Sequence, residues 1–303
     1  MRVLITGGSG TVGTAFIAAY AGRYEFAILS RNEKLQWEAK QKFPGITCYL
    51  GNVEDFARLM RAYQEFRPDV VIHAAALKHI DLAEQQPIQT CRVNIIGMLN
   101  VIEASVLLQT PVTIGISTDK ACNSQSVYGW SKYFMERCFM EANTAATKFA
   151  LCRFANVAKS NGSVIPKWLA AAARGEKLTV TDPAMCRMVI SQGDAARLIQ
   201  KAIELCDTGG GFVLSKQLKQ LNILDLAKQI SANYEVVGAR AGEQLHESLL
   251  SAAEIPCSQV LGDGYVRINS SPNPDVATRF DAGYDSRTSE RMTEQEIRDL
   301  IAS

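Results

Sequence analysis

Residues 2–13 read RVLITGGSGTVG. The apolar run Arg2–Thr6 has the length of a strand. It leads directly into glycines at 7, 10 and 13, and a helical pattern begins at Thr11. Glycine serves three needs in such a turn: the chain must bend sharply, the backbone must approach an anion, and the helix must sit close to the strand. The first helical turn then presents unpaired N–H groups at the positive end of the helix dipole. Gly7, Ser9, Gly10, Thr11, Val12 and Gly13 are therefore the candidate cradle for the pyrophosphate of a dinucleotide.

Working outward from this turn, apolar runs recur at Phe26–Leu29, Thr47–Leu50, Val70–His73, Val112–Ser117 and Phe149–Phe154. Between them lie helical patterns near Glu33–Lys42, Asp55–Phe66, Gln89–Leu107 and Val127–Ala146. Strands buried on both faces read as continuous apolar runs, as VLI, FAIL, VVI and VTIGI do. The pattern predicts the α/β class: a doubly wound parallel sheet of the Rossmann type, with helices on both faces. Past Asn156 the alternation loosens. Lys159–Gly162 is polar and loop-like, helices are expected near Pro166–Arg174, Asp194–Leu205 and Ile223–Ser231, and Ile268–Thr293 reads as irregular. A final helix, Glu294–Ile301, should start after Thr293, with Glu296 completing a capping box. This reading divides the chain into a dinucleotide-binding domain, residues 1–156, and a smaller α/β substrate-binding lobe, residues 157–303. The lobe is expected to pack back on the first domain near 194–206.

The 303 residues suffice for one large or two intimate domains, and the 47% hydrophobic content supplies a core. A net charge of +1 gives no long-range attraction to nucleic acid or an anionic membrane, so neither is expected as a partner. An anionic substrate must instead meet a few placed cations. No apolar run is expected to reach the roughly 18 residues of a membrane span. MRVLITGG lacks the apolar core and cleavage site of a signal peptide. The eight cysteines are scattered, without C-x-x-C or Cys/His spacing. That predicts no metal site and reduced thiols, in a cytoplasmic protein.

The second strand ends in Leu29-Ser30-Arg31. A free ribose 2′-hydroxyl is usually met here by a carboxylate, and none stands there. Ser30 and Arg31 suit a 2′-phosphate, because guanidinium pairs with phosphate through a planar fork. NADP is thus favoured over NAD. Asn52 and Val53 follow the third strand, where the adenine edge would lie, and Ala74, Ala75 and Ala76 keep the floor low after the fourth.

Tyr128 and Lys132 form Y-x-x-x-K, which puts both on one helix face. A lysine ammonium beside a tyrosine favours the phenolate, which can take the proton of a sugar hydroxyl as hydride leaves for a nicotinamide. The fifth strand ends in Ser117-Thr118-Asp119-Lys120, at the strand end where such sheets bind ligands. Asp119 and Lys120 put an acid beside a base in that crevice. A plain dehydrogenase or epimerase needs no such pair, whereas an enzyme that removes a proton and expels water does. To serve as a base, Lys120 is expected to have a pKa lowered by a dry crevice and neighbouring cations.

TGGSGTVG, HAAALKHIDLAE, ISTDKACNSQSVYGWSK, RFANVAKSNGSVIP and RAGEQLHE together resemble the inverting UDP-N-acetylglucosamine 4,6-dehydratases, extended short-chain dehydrogenase/reductases of the polysaccharide-biosynthesis type. The resemblance implies a hydro-lyase. Its substrate would be UDP-N-acetylglucosamine and its product UDP-2-acetamido-2,6-dideoxy-β-L-arabino-hexos-4-ulose, with NADP recycled. It makes Tyr128 with Lys132 the C4′ oxidation pair, Lys120 the C5′ base and Asp119 the acid for the C6′ hydroxyl, with Thr118 on the sugar. Asn156, Arg187 and Arg240 would hold the diphosphate, Glu243 the uridine ribose, and Val164-Ile165-Pro166 the uracil. Lys78, His79 and Glu84 would frame the sugar end. The resemblance also implies a homo-oligomer, a dimer or hexamer, with the helices Gln89–Leu107 and Val127–Ala146 pairing across subunits. The rival readings are a UDP-sugar 4-epimerase, which has no water to expel, and a cofactor-sensing protein that has lost catalysis.

Overall fold

The structure is a computed structural model and describes residues 1–238, 243–272 and 283–302. Its main sheet has nine strands. The first six in the chain are β1 (Arg2–Thr6), β2 (Glu25–Ser30), β3 (Thr47–Leu50), β4 (Val70–His73), β5 (Val112–Thr118) and β6 (Lys148–Phe154). They lie parallel in the order 3-2-1-4-5-6. This is the Rossmann arrangement, and its order reverses between β1 and β4, where a ligand crevice opens at the carboxyl ends of the strands. Helix α1 (Thr11–Tyr20) packs on one face, where Phe16 and Ile17 meet Leu198 and Ile199 of the helix Gln192–Leu205. On the other face Leu59 and Tyr63 pack with Val93 and Val101, and Met135 and Phe139 with Phe149 and Leu151.

The division expected at residue 156 does not hold in the sheet. Phe212–Lys216 pairs parallel to β6, and Tyr265–Asn269 and Ser258–Val260 continue outward antiparallel. Two stretches of the C-terminal half therefore build on the first fold, well beyond the return expected at 194–206. They were hard to read because VRI and SQV are too short and mixed to stand out as strands. The remaining lobe has its own core, with Ile165 and Trp168 of the helix Val164–Ala173 meeting Leu178, Val180, Leu226 and Ile297. The last helix, Glu294–Ala302, starts on the anticipated capping box: Glu296 Oε2 accepts from the Thr293 N–H at 2.8 Å, and Thr293 Oγ1 accepts from the Glu296 N–H at 3.2 Å.

The helical run Pro87–Leu107 corrects one expectation. At 21 residues and a mean hydropathy of 1.3 it is long and apolar enough to cross a membrane. Packing accounts for that composition on one side, since Val93, Met98, Val101 and Ala104 are buried against the sheet and its neighbours. Residues Arg92–Ile96 widen into a π-helical turn, a local defect often found near functional sites. Here it carries Asn94 toward the crevice.

One buried ion cluster ties the layers together. Arg153 on β6 is 1% exposed, and its five N–H donors are all taken. Nε and Nη2 meet Glu136 at 3.0 and 2.6 Å, Nη1 and Nη2 meet Glu254 at 3.0 and 2.6 Å, and Nη1 also reaches the Leu249 carbonyl at 3.0 Å. Glu136 further accepts from Ser117 Oγ at 2.6 Å. The cluster thus fixes β5, β6, the helix Val127–Glu141 and the segment after Leu249 to one another, immediately behind the carboxyl end of β5.

Candidate active site

A cleft of about 510 Å³ runs along the carboxyl ends of the parallel strands. It is lined by every residue expected to hold a cofactor: Gly7 through Gly13 except Gly8, then Ser30, Arg31, Asn52, Val53, Ala74, Ala75, Ala76, Tyr128 and Lys132. The cradle fits a dinucleotide on two observations. At Gly7, with φ of 70°, an added Cβ would lie 2.7 Å from Ala75 Cα, and at Gly13 it would lie 2.4 Å from the Gly8 carbonyl oxygen, so neither position admits a side chain. The N-terminus of α1 has no side-chain cap, which leaves its first N–H groups free for an anion. Ser30 is buried, while Arg31 is exposed at the rim.

The cleft's far end gathers the titratable groups expected to react. Lys120, Thr118, Tyr128, Asn156, Lys78 and His79 line it, and Asp119 lies just behind, 1% exposed. Lys120 Nζ donates to Asp119 Oδ1 at 2.9 Å and lies 2.9 Å from Glu247 Oε1. Thr118 Oγ1 donates to Asp119 Oδ1 at 2.8 Å and shares a hydrogen bond with the Tyr128 hydroxyl. Asn156 Nδ2 bridges Asp119 Oδ2 at 3.3 Å and Glu247 Oε2 at 2.8 Å. Burial, reinforced by the Glu247 charge, pushes the Asp119 carboxyl up to about 7, within the range of a general acid at neutral pH.

Two electrostatic expectations are corrected here. The neighbours of Lys120 are carboxylates, not cations, and although burial works against the ammonium, Asp119 and Glu247 together raise its pKa above the ordinary lysine value. The cation acting on Tyr128 is Lys120, not Lys132. Burial pushes the phenol up to about 12, with Lys120 opposing that rise and Asp119 adding to it. Lys132 Nζ donates instead to the Ile116 carbonyl at 2.8 Å, and burial brings its pKa down to about 8.

The loop around Asn161 closes over the cleft. Its N–H donates to Thr11 Oγ1 at 3.1 Å, and its carbonyl accepts from Lys78 Nζ at 2.7 Å. Several expected substrate residues lie elsewhere. Glu84 does not line the cleft; its carboxylate accepts from the Val127 N–H at 2.7 Å and so caps the helix Val127–Glu141. Ile165 belongs to the small-lobe core, with Val164 packed against it, and Pro166 is exposed. Arg187 is 3.4 Å from Glu247 Oε2 and donates to the carbonyls of Cys186 and Leu245, behind the cleft rather than along it. Glu243 is half-buried and does not line the cleft, and Arg240 lies outside the described residues. Among the described residues no group of His, Cys, Asp and Glu is placed to hold a metal ion.

Two residues join the site without having been singled out. Asn94 holds Leu77 by both backbone groups, at 2.8 and 3.0 Å, and donates to Ser131 Oγ at 3.0 Å, clamping the helix Val127–Glu141 to the cleft floor. Glu247 sits inside RAGEQLHE, but nothing local marks it as a partner of Lys120, 127 positions earlier.

The sequence pattern of the polysaccharide biosynthesis protein family matches residues 3–268. The chain belongs to that family, among the extended short-chain dehydrogenase/reductases. It is 36% identical to a UDP-N-acetylglucosamine 4,6-dehydratase (inverting) of Campylobacter jejuni, over 83% of this chain and 78% of that one. It is 30% identical to a UDP-glucose 4-epimerase of Rickettsia massiliae, over 99% of this chain and 94% of that one. Among solved structures it is similar to Pen from Bacillus thuringiensis, with a TM-score of 0.91 and 27% identity, covering 99% of this chain and 96% of the other.

Proposed function

We propose that this protein is an NADP-dependent UDP-N-acetylglucosamine 4,6-dehydratase that inverts C5′. The observation that carries this reading is the Asp119–Lys120 pair at the end of β5, an acid and an amine 2.9 Å apart beside the phenol of Tyr128. The inverting dehydratase relatives support it. A bound nicotinamide dinucleotide would supply the acceptor for hydride from C4′ and return it at C6′. Tyr128 takes the C4′ hydroxyl proton, and Thr118 orients that oxygen. The resulting ketone acidifies C5′–H, which Lys120 removes. Asp119 protonates the C6′ hydroxyl, which leaves as water, and a proton returns to C5′ from the opposite face. Asn156, which lines the cleft, would meet the diphosphate. Incubation with UDP-N-acetylglucosamine in D₂O, followed by NMR, tests the reading. A 6-deoxy-4-keto sugar of L-arabino configuration with deuterium at C5′ is expected. UDP-N-acetylgalactosamine as sole product would replace it with the epimerase reading, and a D-xylo product formed before chemical epimerisation would refute inversion.

The choice of NADP rests on Ser30 and Arg31 at the end of β2. Arg31→Ala should weaken NADP binding by about tenfold or more, as the loss of a charge-assisted phosphate contact does, while leaving NAD binding nearly unchanged. Calorimetric titration of both cofactors checks this, and equal weakening of both would dismiss the 2′-phosphate contact.

The protein works as a homo-oligomer through its two apolar helices. Pro87–Leu107 and Val127–Glu141 pack side by side and together expose Ile88 (73%), Trp130 (65%), Tyr133, Phe134 and Leu107. So many large apolar side chains on adjoining helices mark an association surface. Trp130→Glu should shift the light-scattering mass from dimer or larger to monomer. A wild-type monomer at micromolar concentration would remove this proposal.

A further inference from the structure

We propose that Glu247 is the positioning residue that keeps Asp119 in its acid form, by placing a second carboxylate against the Asp119–Lys120 pair. The inference rests on the role of Asp119 as the acid for the departing hydroxyl.

Asp119 and Glu247 are 1% and 6% exposed, and both face the single ammonium of Lys120, each at 2.9 Å. Asn156 Nδ2 lies between the two carboxylates, donating to both. The two carboxylates share the one Lys120 ammonium out of contact with bulk water, so each bears on the other as a like charge. A proton is the natural remedy, as in any close carboxylate pair. Arg187 decides which oxygen takes it. Its guanidinium lies 3.4 Å from Glu247, so Glu247 has a second cation and stays ionised. Among the described residues Asp119 meets only the Lys120 ammonium, which it shares with Glu247, so Asp119 carries the proton. The directions agree: Glu247 is held down at about 2 by Lys120 and Arg187 against its burial, while Asp119 rises through burial and the Glu247 charge.

The surrounding elements leave this assignment intact. Tyr128 approaches from the helix Val127–Glu141, its phenol raised by burial and held back by the Lys120 ammonium. Cys122 lines the same small pocket as Lys120 and Glu247, and its thiol is held neutral, chiefly by burial. On the far side lie His246, lowered mainly by burial, and Asp285, which Arg287 pairs at 2.9 Å. The Glu247 backbone is itself fixed, its N–H donating to Ser286 Oγ at 3.1 Å and its carbonyl accepting from the Ser286 N–H at 2.9 Å. The carboxylate is therefore presented by a braced segment rather than by a loose loop end.

Infrared difference spectroscopy tests this without turnover. Full-length protein minus its Asp119→Asn variant should show the C=O stretch of a protonated carboxylic acid, titrating near neutrality. In a Glu247→Gln background Asp119 no longer faces a second carboxylate. The same band should then disappear about one pH unit or more lower, because a like charge has been removed and Lys120 remains. Glu247→Asp, which keeps an ionisable carboxyl, should restore the titration toward that of the wild type. Glu247→Gln should also slow water loss by about tenfold or more at neutral pH while leaving reduction of the bound cofactor by substrate intact. An Asp119 band absent from the wild type, or titrating identically in Glu247→Gln, would overturn the inference. If the band behaves as described but the wild type releases no dehydrated sugar, the electrostatic assignment stands and the dehydratase reading fails.

Discussion

Lys120→Ala is expected to slow dehydration of UDP-N-acetylglucosamine by about 10²–10⁴-fold, the usual contribution of a general base. Oxidation at C4′ should persist, because Tyr128 and Lys132 are untouched. The signature is a burst of reduced cofactor, read by absorbance, with no water released and no deuterium entering C5′. The ion pairs of Lys120 add a pH dependence. Asp119 and Glu247 raise its pKa, so the neutral amine is scarce at pH 7 and grows as the pH rises. Deuterium entry at C5′ in the wild type should therefore accelerate with pH through the neutral range. A lowered lysine would have given a plateau there instead. Retained dehydration in Lys120→Ala would take Lys120 out of the role altogether.

Tyr128→Phe should cost a comparable 10²–10⁴-fold, but at an earlier point. Without the phenol oxygen the C4′ hydroxyl has no group to receive its proton, so neither cofactor reduction nor dehydration should be seen. Substrate binding should change little, since the ring remains and only its hydroxyl, hydrogen-bonded to Thr118, is lost. Stopped-flow absorbance and equilibrium binding separate the two effects. A cofactor burst in Tyr128→Phe equal to the wild type's would transfer the role to another group. Burial opposes ionisation of the phenol and the Lys120 ammonium favours it, so Lys120→Ala should also slow the C4′ oxidation modestly.

These two variants touch residues that lie close together in the chain, and that closeness is why they were legible. The glycine cradle, the Thr118–Lys120 triplet and the Tyr128–Lys132 pair each depend on a strand end or one turn of helix, and sequence spacing encodes such geometry directly. The alternation of apolar runs likewise determined the parallel sheet up to β6. The strands Ser258–Val260 and Tyr265–Asn269 escaped because a short edge or antiparallel strand has no local periodicity that sets it apart from a loop.

Local spacing in the chain encodes the α/β fold class and sets the glycine turn, Thr118–Lys120 and Tyr128–Lys132 along one cleft. Only the tertiary structure decided their charge states and partners. Lys120 meets carboxylates, Lys132 turns to the Ile116 carbonyl, Glu84 caps a helix, and Glu247 arrives beside Asp119 from the far end of the chain. A pKa is set by burial and by charges within a few ångströms, whatever their separation along the chain. Sequence spacing carries distance only within a single helix or strand, so the pairing of Glu247 with Lys120 exists only once the chain has folded.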